Sequence, residues 1–156
     1  MKTKNIIGLI LGFLLCLLLM ASCSRGFKAD LGTGLKMVYN GIAVGDSYLT
    51  MDGEKHNSSR IPLGKDIVVV LEDVSGLKMQ DGVYTILFET EVTDAQGNYL
   101  LQYADTLVEP EVDLLRSYLT VAEPMAAGRT YKWVSTFTDL NGEGVVKASI
   151  DLDVAE

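Results

Sequence analysis

Few residues in this chain have both the type and the spacing that chemistry requires. His56 is the only histidine and lies between Lys55 and Asn57 in a stretch that reads as a loop. An imidazole can serve as a general base or a metal ligand, but it then needs a nucleophile or further ligands beside it. No second histidine exists, and no serine carries the Gly-x-Ser-x-Gly spacing that presents a nucleophile at the top of a strand. Asp139, Asn141 and Glu143 gather oxygen atoms of the kind that hold calcium. An EF-type loop needs Gly sixth and Glu twelfth, whereas here Gly142 is fourth and Ile150 twelfth, so the segment reads as a turn. The expectation is a non-catalytic chain without cofactor or metal.

Binding chemistry has more material. Tyr99, Tyr103, Tyr118, Tyr131 and Trp133 could line a platform for a sugar, since aromatic faces offer apolar area beside polar tips. The same residues alternate in step with core positions, so packing competes with that role. Glu109, Glu111 and Asp113 form an acidic cluster that reads either as a solvated face or as a docking patch for a basic partner.

The elements that would position these groups are strands. From Val145 to Val154, Val146, Ala148, Ile150, Leu152 and Val154 alternate with Lys147, Ser149, Asp151 and Asp153. Tyr131, Trp133, Ser135 and Phe137 likewise share one face, and Ile67 to Leu71 is apolar on both, as a central strand would be. Asp94 to Asn98 and Asp139 to Glu143 join neighbouring runs as hairpin turns, each with a Gly three residues after an Asp, where a positive φ is tolerated. Asp52 and Gly53 mark a third turn. Pro110 to Tyr118 reads either as a short helix started by the proline or as part of a strand over Leu115 to Val121. About seven or eight short strands with such turns predict an all-β, antiparallel β-sandwich of immunoglobulin-like or transthyretin-like plan, although the antibody pattern of two cysteines flanking a Trp is missing.

The N-terminus says where the chain resides. Lys2 and Lys4 precede the apolar run Ile6 to Met20, which is followed by Ala21, Ser22 and Cys23, the order of a secretory signal peptide. As a helix the run reaches roughly 22 Å, short of a roughly 30 Å hydrocarbon core. Small residues directly before a cysteine resemble the lipobox of bacterial lipoproteins, with Met20 where that family favours Leu. The resemblance implies cleavage before Cys23 and acylation of its thiol, palmitate being one chain of the kind used; a plain cleaved signal or an uncleaved anchor are the alternatives. The reading divides the chain into a signal peptide (1–22), a lipidated tether containing Gly26, Gly32 and Gly34 (23–34) and a β-sandwich domain (35–156). Ser24, Arg25 and Gly26 follow Cys23 in place of the Asp that retains many Gram-negative lipoproteins at the inner membrane, so the expected location is the periplasmic face of the outer membrane.

Cleavage removes Lys2 and Lys4 from the 13 basic side chains and leaves the 21 acidic ones, a net charge of −10. That balance argues against binding nucleic acid or an anionic membrane through a basic patch. Cys16 lies in the signal and Cys23 is the acylation site, so the mature domain has no disulfide. Lipobox, glycine-rich tether and Asp-x-x-Gly hairpins together resemble small lipoproteins of Bacteroidetes. Within that resemblance Asp105, Thr106 and Leu107 match the short O-glycosylation acceptor of those bacteria at Thr106, while the sequon Asn57-Ser58-Ser59 belongs to machinery that such cells usually lack. The plan is also similar to the lipoprotein subunits of type VI secretion systems, which implies a structural or assembly subunit with a periplasmic or outer-membrane protein partner, reached through edge strands and the acidic 109–113 segment. The competing reading is a module that binds a glycan or small ligand.

Overall fold

A computed structural model of the protein describes residues 25–156; the expected signal peptide (1–22) and the expected acylation site, Cys23, lie outside them. Eleven strands follow along the described chain: β1 (Arg25–Ala29), β2 (Lys36–Asn40), β3 (Asp46–Met51), β4 (Glu54–His56), β5 (Arg60–Pro62), β6 (Asp66–Glu72), β7 (Tyr84–Thr93), β8 (Tyr99–Glu109), β9 (Leu114–Thr120), β10 (Thr130–Asp139) and β11 (Val145–Ala155). Seven form one sheet in the order β1-β2-β11-β10-β7-β8, with β5 added in parallel beside the far end of β11. The other four form a second sheet, β4-β3-β6-β9, and every pairing except β5 with β11 is antiparallel. The chain crosses between sheets from β2 to β3, from β4 to β5, from β5 to β6, from β6 to β7, from β8 to β9 and from β9 to β10. These crossings give the β-sandwich of immunoglobulin-like plan.

The inner faces supply the core. Val146, Ala148, Ile150, Leu152 and Val154 of β11 are buried, as their alternation requires, and so are Tyr131, Trp133, Ser135 and Phe137 of β10. Ile67, Val69 and Leu71 of β6 face them from the second sheet, and Val70 is buried on the other side of the same strand. Phe137 stacks on Phe88 with ring centroids 4.9 Å apart. A chain of hydrogen bonds runs through this apolar layer. The Trp133 indole donates to the Thr90 hydroxyl (2.8 Å), Thr90 and Ser135 hydroxyls lie 3.3 Å apart, and Ser135 donates to Ser117 (2.7 Å). Thus β7, β10 and β9 are linked across both sheets with no buried side-chain polar atom left without a partner among the described residues.

At the start of β10 the Tyr131 hydroxyl accepts from the Ala126 backbone N–H at 2.9 Å. This is the geometry of the tyrosine corner, with Trp133 standing two residues later, where antibody domains carry their second cysteine. A side chain with both apolar bulk and an N–H donor fills that position in a domain without disulfides.

Several expectations need correction. There are eleven strands rather than seven or eight, because β1, β4 and β5 are only three to five residues long and too short to show a period. Of the two readings of Pro110 to Tyr118 the strand holds: the chain crosses between sheets and enters β9 at Leu114, with no helix. Residues 25–34 are not a tether. Arg25 to Ala29 pair with Asn40 to Lys36, and a turn at Asp30 to Gly34 closes the hairpin. Gly26 is there because the Tyr39 ring lies over it and leaves no room for a Cβ. Gly97 does take the positive φ expected of it (85°), but Gly142 does not. A Cβ at Gly142 would collide with the Asp139 carboxylate, so close approach rather than φ requires that glycine.

Candidate interaction surface

The residues singled out for chemistry do not meet. His56 ends β4, half-buried, with its Nε2 3.4 Å from the Arg60 carbonyl and no carboxylate partner. Asp139 is buried, and its carboxylate accepts the backbone N–H groups of Lys78 (2.8 Å) and Asn141 (3.0 Å). Asn141 in turn donates to the carbonyls of Lys78 and Val83. This cluster therefore pins the β10–β11 turn to the segment before β7, and Asp139 is committed to that task. Glu143 is exposed and joins none of these contacts.

The aromatic residues divide rather than converge. Tyr131 and Trp133 belong to the core, Tyr118 stands exposed on the outer side of the second sheet, and Tyr99 and Tyr103 are exposed on β8. Of the two readings of the aromatics, packing holds for Tyr131 and Trp133: alternation on β10 turns Trp133 inward, toward Thr90.

What the fold does assemble is an open edge. β8 is 11 residues long and, among the described residues, ends the large sheet with β7 as its one substantial neighbour. Opposed residues in an antiparallel ladder share a face. Leu101, Tyr103, Asp105 and Leu107, opposite Val92, Thr90, Phe88 and Ile86, thus lie on the inner side. Even so Leu101 and Tyr103 are 39% and 52% exposed, because the second sheet stops at β9 and does not reach over β8. Tyr103 tilts against Phe88 at 6.2 Å, which extends the Phe137–Phe88 stack from the core to the rim. Its hydroxyl donates to Asp105 (3.0 Å), and that bond to a carboxylate raises the phenol pKa above its ordinary value.

On the outer side, Gln102, Ala104, Thr106 and Val108 are exposed opposite Glu91, Glu89, Leu87 and Thr85. Thr106, the acceptor candidate, is accessible, and its backbone N–H donates to the Asp105 side chain (2.8 Å). Glu109 closes β8, and Glu111 and Asp113 follow on the link to β9, all exposed. The structure therefore joins the acidic segment to the free strand. β7 and β8 together carry Glu89, Glu91, Asp105 and Glu109 and no Lys or Arg.

The opposite edge was not legible as a surface. β1 and β2 carry Arg25, Lys28 and Lys36 and no carboxylate, and Phe27, Leu31 and Val38 are 64%, 97% and 55% exposed there. The available signal was two large apolar residues, Phe27 and Leu31, inside a stretch read as a solvated tether.

No family model matches this sequence, and no curated protein does. Among solved structures, an immunoglobulin-like protein from Pseudomonas aeruginosa is similar at 16% identity, over 72% of this chain and 95% of that one, with a TM-score of 0.44.

Proposed function

We propose that this chain is a non-catalytic, outer-membrane-anchored periplasmic lipoprotein, acylated on Cys23, that acts as a structural or assembly subunit of an envelope complex. The observation that carries the reading is β8: an 11-residue free edge with both faces open, continuous with the acidic 109–113 segment. A free edge offers unpaired backbone N–H and C=O groups to an added strand, and folds that do not use such an edge usually block it with lysines, proline or a covering segment. β8 contains no Lys and no Pro. Its bulge against Val92 and Thr93 bends only the end next to the turn. The carboxylates along β7, β8 and the following link favour a partner with a basic surface. A type VI secretion system lipoprotein is one subunit of this plan, supported by the anchor, the small sandwich and the exposed edge. Thr106 is a candidate for O-glycosylation on the same strand, and a glycan there would compete with strand addition. The glycan-binding alternative retains Tyr99 and Tyr103 as exposed rings on β8.

The test is capture of the lipidated protein from intact envelopes, beside a variant carrying Gln102→Lys and Ala104→Lys. The new lysines stand opposite Glu91 and Glu89, so the fold should tolerate them while the edge is blocked. A partner held by the wild type and lost from the folded variant supports the proposal. Equal capture by both would refute the role of β8.

A further inference from the structure

The geometry points to a second surface, at the opposite corner of the large sheet, that lies against anionic phospholipid headgroups. The inference rests on the lipid anchor proposed for Cys23 and says how the domain sits once anchored. Only Ser24 separates Cys23 from β1. Phe27 is four residues from Cys23, so even a fully extended chain keeps its Cα within about 14 Å of the Cys23 Cα. With no tether between them, the β1–β2 corner has to stay beside the bilayer.

That corner has the composition such a place requires. Phe27 pairs with Val38, Arg25 with Asn40 and Ala29 with Lys36, all pointing to the outer side of the sheet. Lys147 of β11 continues the Phe27–Val38 row. Leu31 stands at the hairpin tip. The result is an apolar centre of Phe27, Val38 and Leu31 flanked by Arg25, Lys36 and Lys147, the pattern of an interfacial contact in which apolar groups enter the headgroup layer and cations meet phosphate. Lys36 and Lys147 form no ion pair among the described residues. The nearby Lys28 does not belong to the patch, since its ammonium donates to the Val44 and Gly45 carbonyls. Of the carboxylates near this corner, Asp30 is turned into its own hairpin, where it accepts from the Gly32 and Thr33 backbone N–H groups, and Asp151 stands on the outer face of β11 two residues beyond Ser149, the partner of Lys36.

A strongly acidic chain has thus gathered cations where its anchor begins and carboxylates at its far edge. Glu89 lies two strands beyond Lys147 in the same cross-strand row, and a rotation of roughly 20–25° per strand over the three steps from β2 to β7 tilts it out of the plane that β1 and β2 define. The partner of this corner is therefore a membrane carrying negative charge, and the acidic edge is left in water.

The test uses the full-length chain, processed in a bacterial host and reconstituted in vesicles of phosphatidylcholine with or without phosphatidylglycerol. A photoreactive p-benzoylphenylalanine replaces Phe27 in one protein and Tyr118, on the outer side of the second sheet, in another. Mass spectrometry reads lipid adducts and Cys23 acylation from the same sample. The expected result is lipid adducts at position 27, more of them with phosphatidylglycerol, and few at position 118. Arg25→Glu with Lys36→Glu should lower the yield at position 27 by about fivefold or more for each cation removed, with the circular dichroism spectrum unchanged. An acylated, folded protein that gives equal adducts at both positions would overturn the membrane-facing corner and leave the anchor standing. Adducts at position 27 on a chain whose Cys23 bears no acyl group would support the corner and overturn the anchor.

Discussion

The two edges of the large sheet are built alike and finished differently. Each is a hairpin closed by an Asp carboxylate that accepts backbone N–H groups: Asp30 from Gly32 and Thr33 between β1 and β2, Asp94 from Gln96 and Asn98 between β7 and β8. At the β1 edge the inner side is covered, because the Tyr39 ring lies over Gly26. At the β8 edge it is bare, with Leu101 and Tyr103 beyond the reach of the second sheet. The strands of the first hairpin carry only positive charge and those of the second only negative. The same local turn chemistry can therefore end a sheet in surfaces of opposite charge, and what separates them is the cross-strand content, not the turn.

The largest way to break this pairing of edges is to remove what connects them. Trp133→Ala deletes the buried indole of the central strand and its hydrogen bond to Thr90. It should cost about 3–5 kcal/mol, read from urea unfolding, with both edges lost in one transition. A loss below about 1 kcal/mol would show that β10 does not unite the sheet. Next, Gly26→Val forces a side chain into the Tyr39 ring and should cost about 1–3 kcal/mol of overpacking. Hydrogen exchange should speed up in β1 and β2 and stay unchanged in β7 and β8.

The two Asp turns share a pH signature. The Thr33 hydroxyl and the Gly32 N–H hold Asp30 below its ordinary pKa, and the Asn98 side chain and backbone do the same for Asp94. A carboxyl whose folded pKa is depressed contributes stability above its unfolded value, near 3.9, and loses it as pH falls through the lower folded value. The urea midpoint should therefore fall as the pH is lowered below about 4, and Asp94→Asn should flatten part of that fall. An unchanged profile in the variant would show that the β8 hairpin does not rely on its carboxylate. The smallest effect belongs to Ala104→Lys alone, which should leave unfolding within about 0.5 kcal/mol of wild type.

The sheets themselves were readable in the sequence wherever one face is buried along a whole strand. The alternation of Val146 to Val154 and of Tyr131 to Phe137 placed β11 and β10 and their core residues, and the Asp94 and Asp139 turns were located correctly. Short pairings were not readable: five residues such as Arg25 to Ala29 show no period, and glycine in such a stretch reads as a linker until the ring above Gly26 is seen. The role of Trp133 was hidden as well, since an aromatic on an alternating strand fits a core or a platform equally, and only the position of Thr90 across the ladder decides. The acidic 109–113 segment was visible as composition. That it continues a free strand depended on where the second sheet ends, which is set by tertiary packing. Overall charge gave no hint of this division, because a sum over the chain conceals the separation of cations at β1 and β2 from carboxylates at β7 and β8.

The most direct measurement of this division between edges is hydrogen exchange on the chain carrying the acyl group proposed for Cys23, free in detergent and then anchored in vesicles containing phosphatidylglycerol. Anchoring should slow exchange in residues 25–40 and leave 99–109 as fast as before. Slower exchange in 99–109 with no change in 25–40 would contradict the assignment of the two edges.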